Sequence, residues 1–325
     1  AQFQNAVARA AAGFGASILT RVDAVRVQGD HAVLRDAITG RELLVRARAV
    51  LSATGVWAGE LEPDVHLRPS RGTHLVVETA RLGGSDAALT VPVPGSSSRF
   101  VFTVPAPHGR TYIGVTDVPA AGPLPEVPHA TDPEIDMLLD TVNTVMERPL
   151  SRADVIATFA GLRPLLTSAD QTGGGVETSD LSRRHAILES ADGVLTVVGG
   201  KLTTYRRMAQ DGVDAAVARR FRDGQVAASR TRSLPLVGAW PRERSGEITA
   251  APRLVRRYGA EAPYVAALPA GPAAARGVTA QELRWGVRVE GALDVDDLLD
   301  RRTRLGLVAG DREVSTDAAL AALED

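Results

Sequence analysis

The chain has 325 residues, of which 44% are hydrophobic, and its formal net charge is −2 at pH 7. This length suffices for one large domain or two ordinary ones, whereas the near-neutral charge argues against a nucleic-acid-binding surface, which needs a basic balance or a basic stripe. The chain has no cysteine, which excludes disulfides, thiolate metal sites and a cysteine nucleophile. No segment approaches the roughly 18 to 20 unbroken apolar residues of a membrane-spanning helix.

The first half of the sequence predicts one helix followed by short strands. Apolar residues recur with a helical period at residues 2–13. Strands are then predicted at 17–27, 31–36, 42–47, 47–55 (ARAVLSATG), 73–78, 89–94, 99–105 and 110–117. The last four are predicted to form an antiparallel sheet.

The second half predicts two more helices, further strands and a helical C-terminal region. Thr131 or Asp132 is the expected N-cap of a helix to about residue 147, with Pro133 in its first turn. Strands are predicted at 154–166, 184–190 and 193–200, and a helix at 201–222. From Leu234 onward, arginine- and alanine-rich helical periods alternate with glycine and proline, which indicates a separate helical domain.

One basic side chain stands out in the stretch VVGGKLTTYRRMAQ. Of the 37 basic residues, Lys201 is the only lysine, and the other 36 are arginines. The stretch is not a nucleotide-triphosphate P-loop, because Leu195 stands where the first glycine is needed and Leu202 follows the lysine. The helix starts directly after a strand and two glycines. The unpaired N–H groups and the dipole at such a helix start favour binding of an anion. The alternative is an ordinary strand-to-helix turn with a solvated lysine.

Six segments occur together in an order that is specific to one family. They are SATGVWA (52–58), RPSRGTHLVV (68–77), GRTYIGVTD (109–117), FAGLRPLL (159–166), LSRRHAI (181–187) and VVGGKLTTYRRMA (197–209). In these segments the chain resembles the FAD-dependent glycerol-3-phosphate dehydrogenases of the aerobic, quinone-linked type. The resemblance extends into residues 282–307 (ELRWGVRVEGALDVDDLLDRRTRLGL), which are similar to the family's helical cap.

The resemblance implies an α/β (α+β) fold with three domains. These are an incomplete FAD-binding Rossmann-like domain at 1–61 and 190–225, a substrate-binding antiparallel sheet domain at 62–189 and a C-terminal helical domain at 232–325. Family members begin with a βαβ unit that carries G-x-G-x-x-G, and this motif does not occur in the chain. The opening AQFQNAVARA has neither an initiator methionine nor a signal-peptide pattern. We therefore expect a fragment or a processed start that lacks the nucleotide unit.

The resemblance also implies residues for oxidising the C2 alcohol of sn-glycerol 3-phosphate to dihydroxyacetone phosphate. Arg163 is the expected phosphate anchor, because a guanidinium binds phosphate bidentately, and an arginine that bonds loop carbonyls is the alternative. Arg183 is a second substrate candidate, although the adjacent Arg184 could equally be a surface charge. His74 is the expected catalytic base, since an imidazole titrates near neutral pH, although a lone histidine in an apolar strand is more often structural.

Lys201 is expected to act in both catalysis and binding. The resemblance places it where the helix dipole meets flavin and substrate, so that its ammonium holds a substrate oxygen and the developing anionic charge of the reduced flavin. The expected FAD contacts lie near strand ends and helix starts. They are Val22, Thr54, Gly55, Trp57, Gly200, Lys201, Leu202, Thr203 and Thr204.

Three functions remain open on these residues. The first is an FAD-dependent dehydrogenase that passes electrons to a quinone, the second is an oxidase of the same fold that uses oxygen, and the third is a non-catalytic fragment unable to hold FAD alone. Amino-acid oxidases share the flavin fold but bind a carboxylate and would not need GLRPL and GGKLTT together. For the first function we expect glycerol 3-phosphate and a quinone as partners, a homodimer, and a cytoplasmic location with peripheral membrane contact.

Overall fold

The computed structural model describes residues 2–84, 86–120, 122–166, 184–222 and 225–324. By their internal contacts these residues form two units, Leu19–Ser233 and the combination of Ala1–Ile18 with Leu234–Asp325. The mixed helix and sheet class expected from the sequence is confirmed. Among the helices described, none has both the length and the apolar character that crossing a bilayer requires.

The helices and strands of the described residues are as follows. The helices are α1 (Gln2–Gly13), α2 (Ala58–Leu61), α3 (Asp132–Asn143), α4 (Tyr205–Arg220), α5 (Pro252–Tyr258), α6 (Ala262–Ala266), α7 (Ala280–Arg288) and α8 (Ala309–Leu323). The strands are β1 (Val22–Gln28), β2 (His31–Asp36), β3 (Glu42–Arg46), β4 (Leu51–Ser52), β5 (Leu67–Glu78), β6 (Leu89–Pro92), β7 (Phe100–Ala106), β8 (Arg110–Gly114), β9 (Val118–Pro119), β10 (Ala157–Leu166), β11 (His185–Glu189) and β12 (Leu195–Gly199).

The strands of the larger unit form three sheets. β1, β2 and β3 form an antiparallel meander. A larger antiparallel sheet has the order β10-β5-β8-β7-β6, with β9 also paired to β5. The third sheet has the order β11-β12-β4, in which β4 runs parallel to β12 and β11 runs antiparallel to it.

Helix α3 covers one face of the larger antiparallel sheet. Leu75 and Val77 of β5 are fully buried in one cluster with Leu138 and Val142 of α3. Burying each such side chain contributes about 1.5 to 3 kcal/mol. Of the two predicted N-caps, Thr131 and Asp132, the structure has Thr131, and Glu134 completes a capping box there. Because α3 packs against one face of the sheet, the side chains of the opposite face are available to line a site.

Several predicted elements differ in extent from the structure, for example β5, which begins at Leu67 rather than at residue 73, and three further cases have a visible cause. The strand predicted at 47–55 is reduced to β4, because only its Leu51 and Ser52 pair with β12. The helix predicted from Lys201 begins with a 3₁₀ turn at Leu202–Thr204 before α4. Helix α3 ends at Asn143 rather than near 147, since the Asn143 side chain bonds both backbone groups of Leu150 and turns the chain.

The smaller unit contains α1 and the C-terminal helices. Its buried cluster includes Leu283, Leu298 and Leu305, each fully buried. Arg9 of α1 donates to the Glu261 carboxylate at 2.9 Å within this unit. The contacts thus group the first helix with residues 234–325, whereas the sequence assigned residues 1–61 to the FAD-binding domain. The three-domain division itself stays a prediction.

Candidate active site

Two of the predicted cofactor segments lie at one edge of the third sheet. β4 and β12 are parallel neighbours, so their carboxyl ends point to the same edge. Thr54 and the 3₁₀ turn Gly55–Trp57 follow β4, and Gly200, Lys201 and the start of the helix follow β12. Ligands of α/β folds bind outside the carboxyl ends of such strands. We call these two segments, 54–57 and 200–204, the strand-end edge.

The glycines of the strand-end edge have different physical roles. Gly55 has a φ of 61°, and no atom lies within 4 Å of the position where a Cβ would stand. The backbone there is open to close approach by a planar group, so this segment fits a flavin dinucleotide. Gly200 also has a positive φ of 79°, but a Cβ would meet the Met208 sulfur at 2.5 Å. The positive φ, together with this contact to α4, already accounts for glycine at position 200, and its cofactor contact stays a prediction.

Lys201 lies at the exposed start of the helix that follows β12. Its backbone N–H donates to the Thr204 hydroxyl at 3.4 Å, and that hydroxyl donates back to the Lys201 carbonyl at 2.9 Å. The side chains of residues 201–205 are all exposed. In the first turn of a helix the N–H groups of Leu202 and Thr203 have no partner four residues earlier. This end of the helix therefore suits an anionic or strongly polar group.

Of the two remaining predicted FAD contacts, Trp57 belongs to the strand-end edge and Val22 lies outside it. Val22 is the first residue of β1, in the meander rather than in the sheet of β4 and β12. β1 contacts α2, which directly follows Trp57. The Trp57 side chain is 39% exposed at the strand-end edge. The assignment of both residues to FAD stays a prediction.

Three groups hold the side chain of Arg163 on β10, one from strand β5 and two from the loop after β8. Its Nη1 donates to the Ser70 hydroxyl at 3.3 Å, and its Nη2 donates to the Thr116 carbonyl at 3.1 Å. The Asp117 carboxylate lies 3.7 Å from Nη1 and accepts a short hydrogen bond from Ser70. The contact with Thr116 matches the structural alternative, an arginine that bonds loop carbonyls. The carboxylate and the hydroxyl were not expected from the sequence.

His74 of β5 stands on the same face of this sheet as Arg163. Residues that face each other across antiparallel strands project to the same side. Phe159 is opposite His74 and Ser70 is opposite Arg163, so all four share one face. The imidazole stacks on the Phe159 ring with a centroid distance of 4.7 Å and an interplanar angle of 4°. This stack fixes the plane of the imidazole ring.

Two paired glycines separate Arg163 from His74 on this face. Gly72 and Gly161 are opposite each other at the register position between these residues. The Arg163 guanidinium extends over Gly72, since Cζ lies 2.9 Å from the position of a Cβ at residue 72. Adjacent positions on one face of a strand are about 7 Å apart, so the guanidinium lies one such step from His74. This spacing suits a ligand whose reacting hydroxyl and anionic group are a few ångströms apart.

A buried carboxylate on the opposite face anchors the loop beside Arg163. Glu134 of α3 accepts from Arg71 Nε and from the Thr116 hydroxyl, each at 2.8 Å, and from the Thr73 hydroxyl at 3.0 Å. Burial acts to raise the pKa of Glu134, but hydrogen bonds from three threonine hydroxyls outweigh it and hold the pKa below its ordinary value. The carboxylate therefore stays ionised and fixes the loop after β8.

Strand β10 connects the two groups of site residues. It contacts both β12 and the Gly55–Trp57 turn. The structure thus brings Arg163 and His74 together on one face of the larger sheet, and it brings the strand that carries Arg163 next to the strand-end edge. Arg183, the other predicted substrate ligand, lies outside the described residues.

Comparison with known proteins shows the family of the chain. The family described as FAD dependent oxidoreductase matches residues 1–206. The chain belongs to this family. A second family, described as the C-terminal domain of alpha-glycerophosphate oxidase, matches residues 229–323 of the same chain. FAD as the expected cofactor is therefore confirmed at the level of the family.

Two relatives of the chain carry the name glycerol-3-phosphate dehydrogenase. Glycerol-3-phosphate dehydrogenase 1 of Mycobacterium tuberculosis is 50% identical over 96% of this chain, and the chain spans 62% of the length of that relative. Glycerol-3-phosphate dehydrogenase of Mycobacterium leprae is 37% identical, with 93% of this chain and 54% of that protein covered. The predicted resemblance to glycerol-3-phosphate dehydrogenases is confirmed.

A solved structure shows the same fold. The glycerol-3-phosphate dehydrogenase from Bacillus halodurans, solved in complex with FAD, has a TM-score of 0.78 and 23% identity, with 99% of this chain and 68% of that chain covered. At this identity the likeness concerns the fold alone. It confirms the expected FAD-family fold class with its antiparallel sheet and helical C-terminal region.

The sequence missed the residues that support Arg163. Ser70 and Asp117 lie inside the segments RPSRGTHLVV and GRTYIGVTD, yet nothing in one strand shows what a distant strand places beside it. Glu134 had a local signal, since Thr131 and Glu134 have the spacing of a capping box. That pattern predicts a helix start, but it does not predict the contacts with Arg71 and Thr116.

Proposed function

We propose that this family member binds FAD at the strand-end edge and oxidises sn-glycerol 3-phosphate to dihydroxyacetone phosphate. The observation that supports this most directly is the placement of Arg163 and His74 on one sheet face, with a glycine pair between them. The names of the relatives support the choice of substrate. Electron transfer to a quinone is part of the proposal, with oxygen as the alternative acceptor.

In this proposal each side chain has a distinct task. Arg163 holds the phosphate, because its planar fork can form two parallel hydrogen bonds with phosphate oxygens. This orients the C2 hydroxyl toward the imidazole of His74, which accepts the hydroxyl proton. FAD held at the strand-end edge would supply the hydride acceptor, and loss of the C2 hydride together with the hydroxyl proton would leave a carbonyl. Lys201 stabilises the substrate oxygen and nearby negative charge at the start of its helix.

The proposed FAD site uses groups that the strand-end edge provides. The open backbone at Gly55 admits a planar ring, and the helix start at Leu202 and Thr203 offers N–H donors. Thr54, whose hydroxyl lies 3.2 Å from that of Ser52, offers a further polar group. Arg183, a residue of LSRRHAI, is proposed as a second phosphate ligand from the family resemblance.

A reduction experiment tests the proposed function. The full-length gene product, purified with FAD, is mixed anaerobically with glycerol 3-phosphate or with glycerol, and the flavin absorbance is recorded. We expect bleaching by the phosphate ester only, because Arg163 binds the phosphate. Equal bleaching by both compounds would contradict the role of Arg163. Oxygen uptake and reduction of a soluble quinone analogue, measured in parallel, then distinguish the oxidase from the dehydrogenase.

A further inference from the structure

Arg163 and Asp117 are linked through a buried hydroxyl. Ser70 is fully buried and accepts a hydrogen bond from Arg163 Nη1. A carboxylate can only accept hydrogen bonds, so the Ser70 hydroxyl donates its proton to Asp117. The order of donation therefore runs from the guanidinium to the hydroxyl to the carboxylate. The Asp117 side chain is only 13% exposed, so solvent screens this link weakly.

The loop that carries Asp117 is itself fixed to two elements. The Thr116 hydroxyl accepts from the backbone N–H of Thr73 on β5 and donates to Glu134 on α3, each at 2.8 Å. The Thr116 carbonyl then accepts from Arg163 Nη2. These contacts with β5 and α3 therefore fix the position of Asp117 beside the guanidinium.

A carboxylate near a phosphate anchor has two opposing effects on anion binding. Its charge repels the phosphate and lowers affinity. Its contacts hold the guanidinium plane in one orientation, which reduces the entropy lost on binding and raises affinity. The two effects predict opposite results when the charge is removed, so a substitution distinguishes them.

We propose that Asp117 is a positioning residue for Arg163, and that it acts through Ser70 to hold the guanidinium over Gly72 on the face that carries His74. This inference rests on the proposed function, in which Arg163 binds the substrate phosphate. Orientation outweighs repulsion, because the carboxylate contacts the edge of the guanidinium that faces Ser70 and Thr116. Asp117 does not itself touch the substrate.

The test compares Asp117→Asn with the wild-type flavoprotein. The dissociation constant of inorganic phosphate is measured by calorimetry, and KM and kcat are measured with glycerol 3-phosphate. Asparagine removes the charge and keeps the shape. We expect phosphate to bind about tenfold more weakly and KM to rise about tenfold, with kcat within about twofold, because one charge-assisted contact of the anchor is lost. Asp140→Asn, on the exposed side of α3, is the matched control for one lost charge.

Two further variants keep the test decisive. Combining Asp117→Asn with Arg163→Lys should weaken phosphate binding no more than Arg163→Lys alone, since residues that act as a unit are not additive. Ser70→Ala retains the carboxylate and should weaken binding about threefold, which tests the link even if Asp117→Asn does not fold.

Tighter phosphate binding in Asp117→Asn would show that repulsion dominates and would overturn the inference. Additive losses in the double variant, or a fall in kcat alone, would overturn it as well. A wild-type protein that binds phosphate but does not oxidise glycerol 3-phosphate would instead contradict the proposed function. The phosphate affinities of the variants would then still decide the role of Asp117.

Discussion

The guanidinium of Arg163 occupies the space in which a side chain on Gly72 would begin. Cζ of Arg163 lies 2.9 Å and the Val115 methyl 2.8 Å from the position of a Cβ at residue 72. Real Cβ atoms do not approach other atoms so closely, so any larger residue at position 72 must displace the arginine. The position of the proposed phosphate anchor thus depends on a glycine in the neighbouring strand.

Gly72→Ala should therefore weaken substrate binding more than it weakens the fold. The guanidinium is the far end of a flexible side chain and can move, so we expect a stability loss of about 1 kcal/mol. KM for glycerol 3-phosphate should rise about tenfold or more, because the displaced fork no longer meets the phosphate in its bidentate geometry. Denaturant unfolding and steady-state kinetics measure the two effects.

Gly161→Ala is the matched control for the effect of that substitution on stability and on the position of Arg163. Gly161 pairs with Gly72 in the same register, but no atom lies within 4 Å of its Cβ position. Its alanine variant should keep its stability within about 0.5 kcal/mol of the wild type and leave Arg163 in place. A Gly72→Ala variant that matches the wild type in KM would show that the guanidinium position is unimportant for binding.

The stacked pair of His74 and Phe159 leads to a second prediction. Replacing His74 with Asn removes the proposed base, and kcat should fall about 100-fold or more. Gly114→Ala retains the imidazole but places a methyl group against it, since the His74 Nε2 lies 2.8 Å from that Cβ position. We expect a smaller fall in kcat for this variant, measured by single-turnover flavin reduction. Unchanged reduction rates in His74→Asn would exclude a base role for His74.

For Lys201 we predict that a substitution weakens substrate binding and leaves the stability of the fold nearly unchanged. Its side chain is exposed, and the helix start is capped through backbone atoms and the Thr204 hydroxyl. Lys201→Met should thus change the free energy of unfolding by less than about 0.5 kcal/mol. KM for glycerol 3-phosphate should rise about tenfold, because a cation beside the anion is lost, with Lys201→Arg intermediate. Arg230→Met, another exposed cation of the same unit, should leave KM unchanged.

Local patterns predicted the elements well where neighbours in the chain decide the structure. The Thr131 cap and the glycine turn before Lys201 are both set within a few residues. The family resemblance supplied Arg163 and His74, and the structure places both on one face.

Features that depend on distant segments were not predictable in this way. Ser70 and Arg163 are 93 residues apart in the chain, and only the pairing of β10 with β5 brings them together. The same holds for Gly72, whose need for glycine arises from the Arg163 side chain and from Val115 rather than from its own backbone angles. Alternation along one strand reveals which residues share a face, but not which strand lies next to it.

The Glu134 cluster gives a prediction for stability against pH. The pKa of this carboxyl is lowered in the folded protein relative to its ordinary value of 4.5. Its contribution to stability is therefore fully present above about pH 4.5 and is lost as pH falls through the folded pKa. We expect Glu134→Gln to lower the free energy of unfolding by about 2 kcal/mol at pH 7, because the charge-assisted bonds with Arg71 and the threonine hydroxyls weaken.

The difference between wild type and Glu134→Gln should then shrink steadily below pH 4.5, since protonation of the wild-type carboxyl removes the same charge. Urea unfolding followed by circular dichroism at a series of pH values measures this difference. Glu147→Gln, an exposed residue just beyond α3, is the control and should show little difference at any pH. A difference for Glu134→Gln that stays constant from pH 7 to pH 3 would mean that the loss of an acceptor oxygen, rather than the loss of charge, destabilises the cluster.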